Sequence, residues 1–170
     1  HLFPPNSPGG TTFRIEAVDS VLNTARKNLS ILLQEAPRNF LVTRAEDDED
    51  PGSLRYAVSQ ADNNDVITFA LPSYPALIRL NHQQGPLLLE RNLTLKGPGA
   101  DLLVISGDSD GNRQPDTQLF QVRAAVVIEG VTLTHGRNRL PSGADTSGGA
   151  IYVGLAGQLT LRACAVTEST

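Results

Sequence analysis

The chain has 170 residues, which is enough for one domain with a buried core. Its formal net charge is −4 and its basic residues are scattered, which argues against a nucleic-acid-binding surface. No apolar run reaches the roughly 18–20 residues needed to cross a bilayer, so no transmembrane segment is predicted. The single cysteine, Cys164, excludes an internal disulfide framework.

Residues 1–39 are predicted to form a linker followed by an amphipathic helix. Prolines and glycines crowd the first twelve residues and favour an irregular leader. From 13 to 35, apolar residues recur at helical spacing, and Pro37 follows. The apolar stripe over 15–32 is expected to pack on the body of the protein. The alternative is that it forms a coiled-coil-like surface that binds another protein. Its members are Ile15, Val18, Leu22, Ala25, Leu29 and Leu32.

A second, shorter helix is predicted at 53–62. Ser53 is placed to cap it, because a serine hydroxyl accepts hydrogen bonds from the N–H groups of a first helical turn. Four apolar residues of this segment share one helical face: Leu54, Ala57, Val58 and Ala61. The acidic run at 46–50 that precedes it is interpreted as a solvated loop, with a cation site as the alternative.

The rest of the chain alternates short strand-like runs with turns rich in Gly, Pro, Asn and Asp. Apolar runs beginning at Leu93, Val126 and Leu159 follow one another at a constant offset of 33 residues. A repeat of this length made of short strands favours a solenoid, because one repeat cannot bury its own apolar face. An all-β solenoid, a parallel β-helix, is therefore predicted over 40–170. In the second copy, Val127 is expected to face the core.

The segment 51–58, Pro-Gly-Ser-Leu-Arg-Tyr-Ala-Val, followed by Ile67-Thr68-Phe69, resembles the start of bacterial β-helix proteins of the CSLREA-type, pectin-lyase-like family. The resemblance continues through the strand runs to residue 164 and covers about residues 40–170. It implies a right-handed β-helix in a secreted or cell-surface bacterial protein. It implies no single activity, because one fold supports many functions.

The two ends of the predicted solenoid differ. The helix at 53–62 is the predicted cap of the first end. Thr170 follows directly on a complete repeat, so we expect further coils in a longer parent protein, or another protein chain on this open C-terminal coil. An uncovered end would expose unpaired backbone groups and apolar side chains, which invites edge pairing.

The strongest candidate for a bound ligand is the loop 108–116. Oxygen-bearing side chains at alternate positions suit Ca²⁺, which takes six to eight oxygen ligands. Arg113 stands at the sixth position, where calcium loops carry Gly, and the bidentate acid that completes such loops is missing. A polar loop without an ion is therefore the alternative, and no cofactor other than calcium is predicted. The candidate ligands are Asp108, Asp110, Asn112 and Asp116.

Five further residues are interpreted as structural: two histidines, one cysteine and a pair of glycines. His82 and His135 are expected in a polar loop and at a coil corner. Cys164 falls in a strand run, where a thiol acts as a small apolar filler. Gly148-Gly149 is expected to permit a tight corner.

The predicted function is a non-catalytic structural or adhesive module of a secreted or cell-surface bacterial protein, which binds other proteins or surface glycans. The alternative is a polysaccharide lyase or glycoside hydrolase whose active face lies partly outside this fragment. Such an enzyme needs convergent carboxylates on one face, or a calcium site beside a basic residue. The sequence does not bring such groups together, so no catalytic residue is predicted.

Overall fold

A computed structural model of the chain describes residues 11–18, 24–31, 36–138 and 148–170. The chain divides into two compact units, His1–Ala36 and Pro37–Thr170. The sequence places the boundary three residues later, between 39 and 40.

The described residues of the first unit form a two-stranded antiparallel sheet of β1, Thr11–Val18, and β2, Thr24–Ile31, in which Thr11 pairs with Ile31. The prediction of a helix at 13–35 is therefore wrong for residues 13–18 and 24–31, which lie in strands. Residues 19–23 and 32–35 lie outside the described residues. The β-branched and aromatic residues of Thr-Thr-Phe-Arg-Ile favour strands, and their period-2 alternation prevails over the helical spacing. The predicted partner-binding helix over 15–32 is wrong for the same reason at its described residues, 15–18 and 24–31.

Three parallel sheets make up the second unit. The first sheet contains β3 (Asn39–Val42), β4 (Asp65–Phe69), β7 (Leu93–Lys96), β10 (Ala125–Glu129) and β13 (Gln158–Arg162). The second contains β5 (Ala76–Arg79), β8 (Leu103–Ser106), β11 (Thr132–Thr134) and β14 (Ala165–Thr167). The third contains β6 (Leu87–Leu89), β9 (Phe120–Val122) and β12 (Ile151–Val153).

The chain visits the three sheets in turn, so each strand lies parallel to its counterpart one coil later. About four turns result, and the predicted parallel β-solenoid is confirmed. The 33-residue offset is the stacking register, because Val126 pairs with Leu93 on one side and with Leu159 on the other.

Aliphatic side chains stacked from coil to coil form the core. In the first sheet, Ile67, Leu95 and Ile128 lie in register, and all three have 0% exposure. Val127 is only partly buried and lies on the outer face, so the expectation that it faces the core is wrong. An unbroken apolar run such as Val126-Val127-Ile128 does not reveal which alternate residues point inward.

One short helix, α1, Leu54–Gln60, covers the first end of the solenoid. The Ser53 hydroxyl accepts a hydrogen bond from the Tyr56 N–H at 3.0 Å, as the predicted cap requires. The helix contacts β3 and β6, and its buried side chains are Leu54, Ala57 and Val58. The predicted capping helix is therefore present, and it is the single helix among the described residues.

Ile128→Asp and Val127→Asp form a matched pair that tests the inward register. The first places an unpaired carboxylate in the core, which costs several kcal/mol, so loss of cooperative unfolding is expected. The second places the same group on the outer face and should change the free energy of unfolding by about 1 kcal/mol or less. Urea unfolding followed by circular dichroism measures both, and equal destabilisation by the two variants would contradict the register.

Candidate functional site

The loop between β8 and β9 is built around Asp108, which is 4% exposed. Its Oδ1 accepts the Gly111 N–H at 2.8 Å, and its Oδ2 accepts the Arg113 N–H at 3.1 Å. Arg113 has a φ of 64°, in the left-handed region that glycine favours. The conformation for which calcium loops use Gly at the sixth position is thus adopted here by an arginine.

Three of the four predicted ligands converge in this loop. Asp108, Asp110 and Asp116 each place one carboxylate oxygen within 4.8 Å of the others. Like charges at this separation repel, and a divalent cation would offset that repulsion. Asn112 accepts the Gln114 N–H at 2.7 Å and donates to Asp110 Oδ2 at 2.9 Å. Its role as a fourth ligand stays a prediction.

A hydrogen-bond chain ties the acidic loop to the turn after β5. The Ser109 hydroxyl donates to Asp116 Oδ2 at 2.9 Å, and His82 Nδ1 lies 2.8 Å from the same hydroxyl oxygen. Because a serine hydroxyl has one proton, the network assigns the donated proton of the second bond to His82 Nδ1. His82 lies in the expected polar loop, but nothing in the sequence linked it to residues 27 positions later.

The acidic run 46–50 is not simply a solvated loop. Asp47 is 8% exposed, and its two oxygens accept from Arg55 Nε at 2.8 Å and Arg55 Nη2 at 2.7 Å. It also accepts the Asn81 N–H at 2.7 Å, while Arg55 donates to the Gly85 carbonyl at 2.9 Å. This bidentate pair connects the cap helix to the first coil. No feature of the sequence distinguishes Asp47, among five consecutive acids, as the buried one.

The other ionised groups of this run pair mainly with Arg44, which forms ion pairs with Glu46, Asp48 and Asp50. The hydrogen bond to Glu46 is the main cause of a raised pKa at Arg44. The pKa of Glu46 is lowered by its own backbone N–H and by the Arg44 guanidinium. Four of the five acids of the run are thus paired with arginines, which leaves the cation-site alternative without support from the geometry.

Asp65, at the start of β4, is a second buried acid, with 2% exposure. Its carboxylate accepts the Arg38 N–H at 2.7 Å, the Asp62 N–H at 2.8 Å and the Arg38 guanidinium at 3.0 Å. Burial acts to raise the pKa of Asp65, but these hydrogen bonds together outweigh it and lower the pKa below its usual value. Asp65 is thereby a structural carboxylate that joins β3 to β4.

The lowered pKa of Asp65 predicts a specific loss of stability in acid. Its stabilising contribution is fully present above the unfolded-state pKa of about 3.9 and is lost as the pH falls through the lower folded-state pKa. Thermal unfolding between pH 7 and pH 3 should show a smaller decrease of Tm for Asp65→Asn than for the native chain. Asp101→Asn, at an exposed position, should leave the native pH profile unchanged, and equal profiles for all three proteins would refute this role.

The last layer of the solenoid, formed by β12, β13 and β14, has apolar side chains on its inward face that are exposed to solvent. Its inward residues are substantially exposed: Val153 43%, Leu161 40% and Val166 49%. The residues with which they pair in the preceding layer have 0% exposure: Val122, Ile128 and Leu133. The same positions therefore change from core to surface in one step along the solenoid.

The other singled-out residues occupy corners and strand flanks of the later coils. His135 has a φ of 51° at the corner after β11, and its Nε2 lies 3.2 Å from Glu168 Oε2. Cys164 is half-buried and packs against the core, as expected of a small apolar filler. Gly148 has a φ of 74°, which suits the predicted tight corner before β12.

Comparison with known proteins finds no matching family model, no matching curated protein and no matching solved structure. Within the described residues, no helix has the length and apolar character needed to cross a membrane.

Proposed function

We propose that this chain is a non-catalytic assembly or adhesive module of a secreted or cell-surface bacterial protein of the pectin-lyase-like β-helix type. Other protein chains bind at its last layer, formed by β12, β13 and β14. The observation that carries this proposal is the exposure of Leu161 and its neighbours at positions that are fully buried one layer earlier.

The last layer combines the two features that recruit an added β-strand. Each of β12, β13 and β14 is the outermost strand of its sheet, so one edge of each offers backbone N–H and C=O groups for pairing. The exposed apolar side chains lie beside these edges, and covering them gains about 25 cal/mol per Å² of apolar surface. At the other end, α1 already covers β3 and β6, so the two ends differ in what they offer a partner.

Leu161→Lys tests this surface, with Thr160→Lys as a matched control on the adjacent, outward-facing position of β13. The native chain should associate with increasing concentration in sedimentation velocity experiments. Leu161→Lys should weaken this association by more than tenfold, because it places a charge among the apolar contacts. Thr160→Lys should have little effect. A native chain that stays monomeric at all concentrations, or equal effects of the two substitutions, would argue against the proposal.

The acidic loop supports a second proposal, a calcium site at Asp108, Asp110 and Asp116 that stabilises the loop between β8 and β9. The convergence of their oxygens within 4.8 Å is the supporting observation.

Calcium should raise Tm if this loop binds it. A ligand that binds only the folded state at a hundredfold excess over Kd adds about 2.7 kcal/mol to the free energy of unfolding. Differential scanning calorimetry with millimolar calcium should show the increase, and Asp110→Asn should reduce it. Asp101→Asn is the control with an exposed acid elsewhere. An unchanged Tm of the native chain would refute the site.

A further inference from the structure

A groove with a cavity volume of about 660 Å³ lies between α1 and β6, at the capped end of the solenoid. One wall is the outer face of α1, which presents Tyr56, Ser59 and Gln60 at positions i, i+3 and i+4. The groove is therefore distinct from the acidic loop and from the last layer.

The second wall follows from strand alternation. Leu87 and Leu89 of β6 are 1% and 0% exposed, so Leu88 points outward and is 46% exposed. Pro86 and Glu90, on either side of β6, and Gln84, in the turn before it, also line the groove. The apolar residues between the walls are Val58, Ala61, Leu87 and Leu93. An apolar floor thus lies between two walls that carry hydrogen-bonding groups.

Most charges around the groove are already balanced. Arg55 pairs with Asp47 at 2.7 Å, and Glu90 pairs with Arg123 at 2.9 Å. Asp62 lies between Arg38, at 2.8 Å, and Arg91, at 4.0 Å.

Glu49 also lines the groove, and it makes no ion pair within the described part of the chain. Three acidic residues (Glu49, Asp62 and Glu90) and two basic residues (Arg55 and Arg91) line the groove, so the lining itself has a net charge of −1, which disfavours an anionic ligand.

We propose that this groove binds a neutral saccharide of two or three units. A pyranose ring has an apolar C–H face and a rim of hydroxyl groups that both donate and accept hydrogen bonds. The half-buried Tyr56 ring and the exposed Leu88 side chain offer apolar contact to such a face. The amides of Gln60 and Gln84 offer donors and acceptors on opposite walls. The cavity volume falls in the range of small-ligand sites.

The ligand proposed for this groove differs in class from the ligands proposed for the other surfaces of the chain. A peptide strand would need a continuous free edge, whereas α1 already lies against β6. An acidic polysaccharide would meet the unbalanced Glu49 carboxylate. The proposal goes beyond assembly through the last layer, since the two regions lie at opposite ends of the solenoid and are tested by different measurements.

The test is a titration of the ¹⁵N-labelled 170-residue chain with maltotriose, cellotriose and triacetylchitotriose, with trigalacturonate as the acidic counterpart and trialanine as the peptide. At least one neutral trisaccharide should shift the amide resonances of Tyr56, Gln60 and Leu88 in a saturable manner. Trigalacturonate and trialanine should leave them unshifted.

Amino-acid substitutions test whether the saccharide binds in the groove. Tyr56→Ala and, as an exposed substitution less able to disturb folding, Leu88→Lys should each lower the association constant roughly tenfold. Gln121→Ala is the matched control, because Gln121 pairs with Leu88 one coil later, outside the groove. Absence of saturable shifts with every neutral trisaccharide, stronger binding of trigalacturonate or trialanine, or equal effects of the three substitutions would overturn the proposal.

Discussion

In-register stacking of aliphatic side chains is the constraint on which the solenoid depends. Parallel pairing places equivalent positions of successive coils above one another, so a column such as Ile67, Leu95 and Ile128 is continuous and fully buried. Each layer is buried only because another layer covers it. The free energy of the core is therefore shared between neighbours, and an outermost layer keeps its apolar residues in contact with water unless something covers it.

The chain meets this requirement differently at its two ends. At the first end, α1 places Leu54, Ala57 and Val58 over the opening, and the buried ion pair of Asp47 with Arg55 holds the helix to the first coil. Removing one partner of such a buried pair costs about 3–5 kcal/mol, because the other charge is then left buried and unpaired. In the last layer, by contrast, the inward residues Val153, Leu161 and Val166 are exposed.

Polar side chains are concentrated at the corners of the coils, because corner residues do not have to stack on an apolar residue of the next coil. The loop after β8 collects three carboxylates, held by backbone N–H groups and by the chain through Ser109 to His82. The groove beside α1 similarly combines side chains from a helix with those of a strand and of the residues that flank it. Rigid strands thus position loops whose polar side chains differ from coil to coil.

The sequence by itself determined the solenoid, its 33-residue register and the Ser53-capped helix, since these rest on local periodicity and on a repeat that only stacking satisfies. It misled at 13–18 and 24–31, where apolar residues fit helical spacing but the chain forms strands. It also misled at Val127, because an unbroken apolar run does not show which alternate residues face the core. Tertiary structure alone decided which acid of the run 46–50 is buried. It also brought His82 to Ser109 and formed the groove, because these contacts join residues from different coils or from the cap and a coil, whose proximity is set by stacking and not by local sequence.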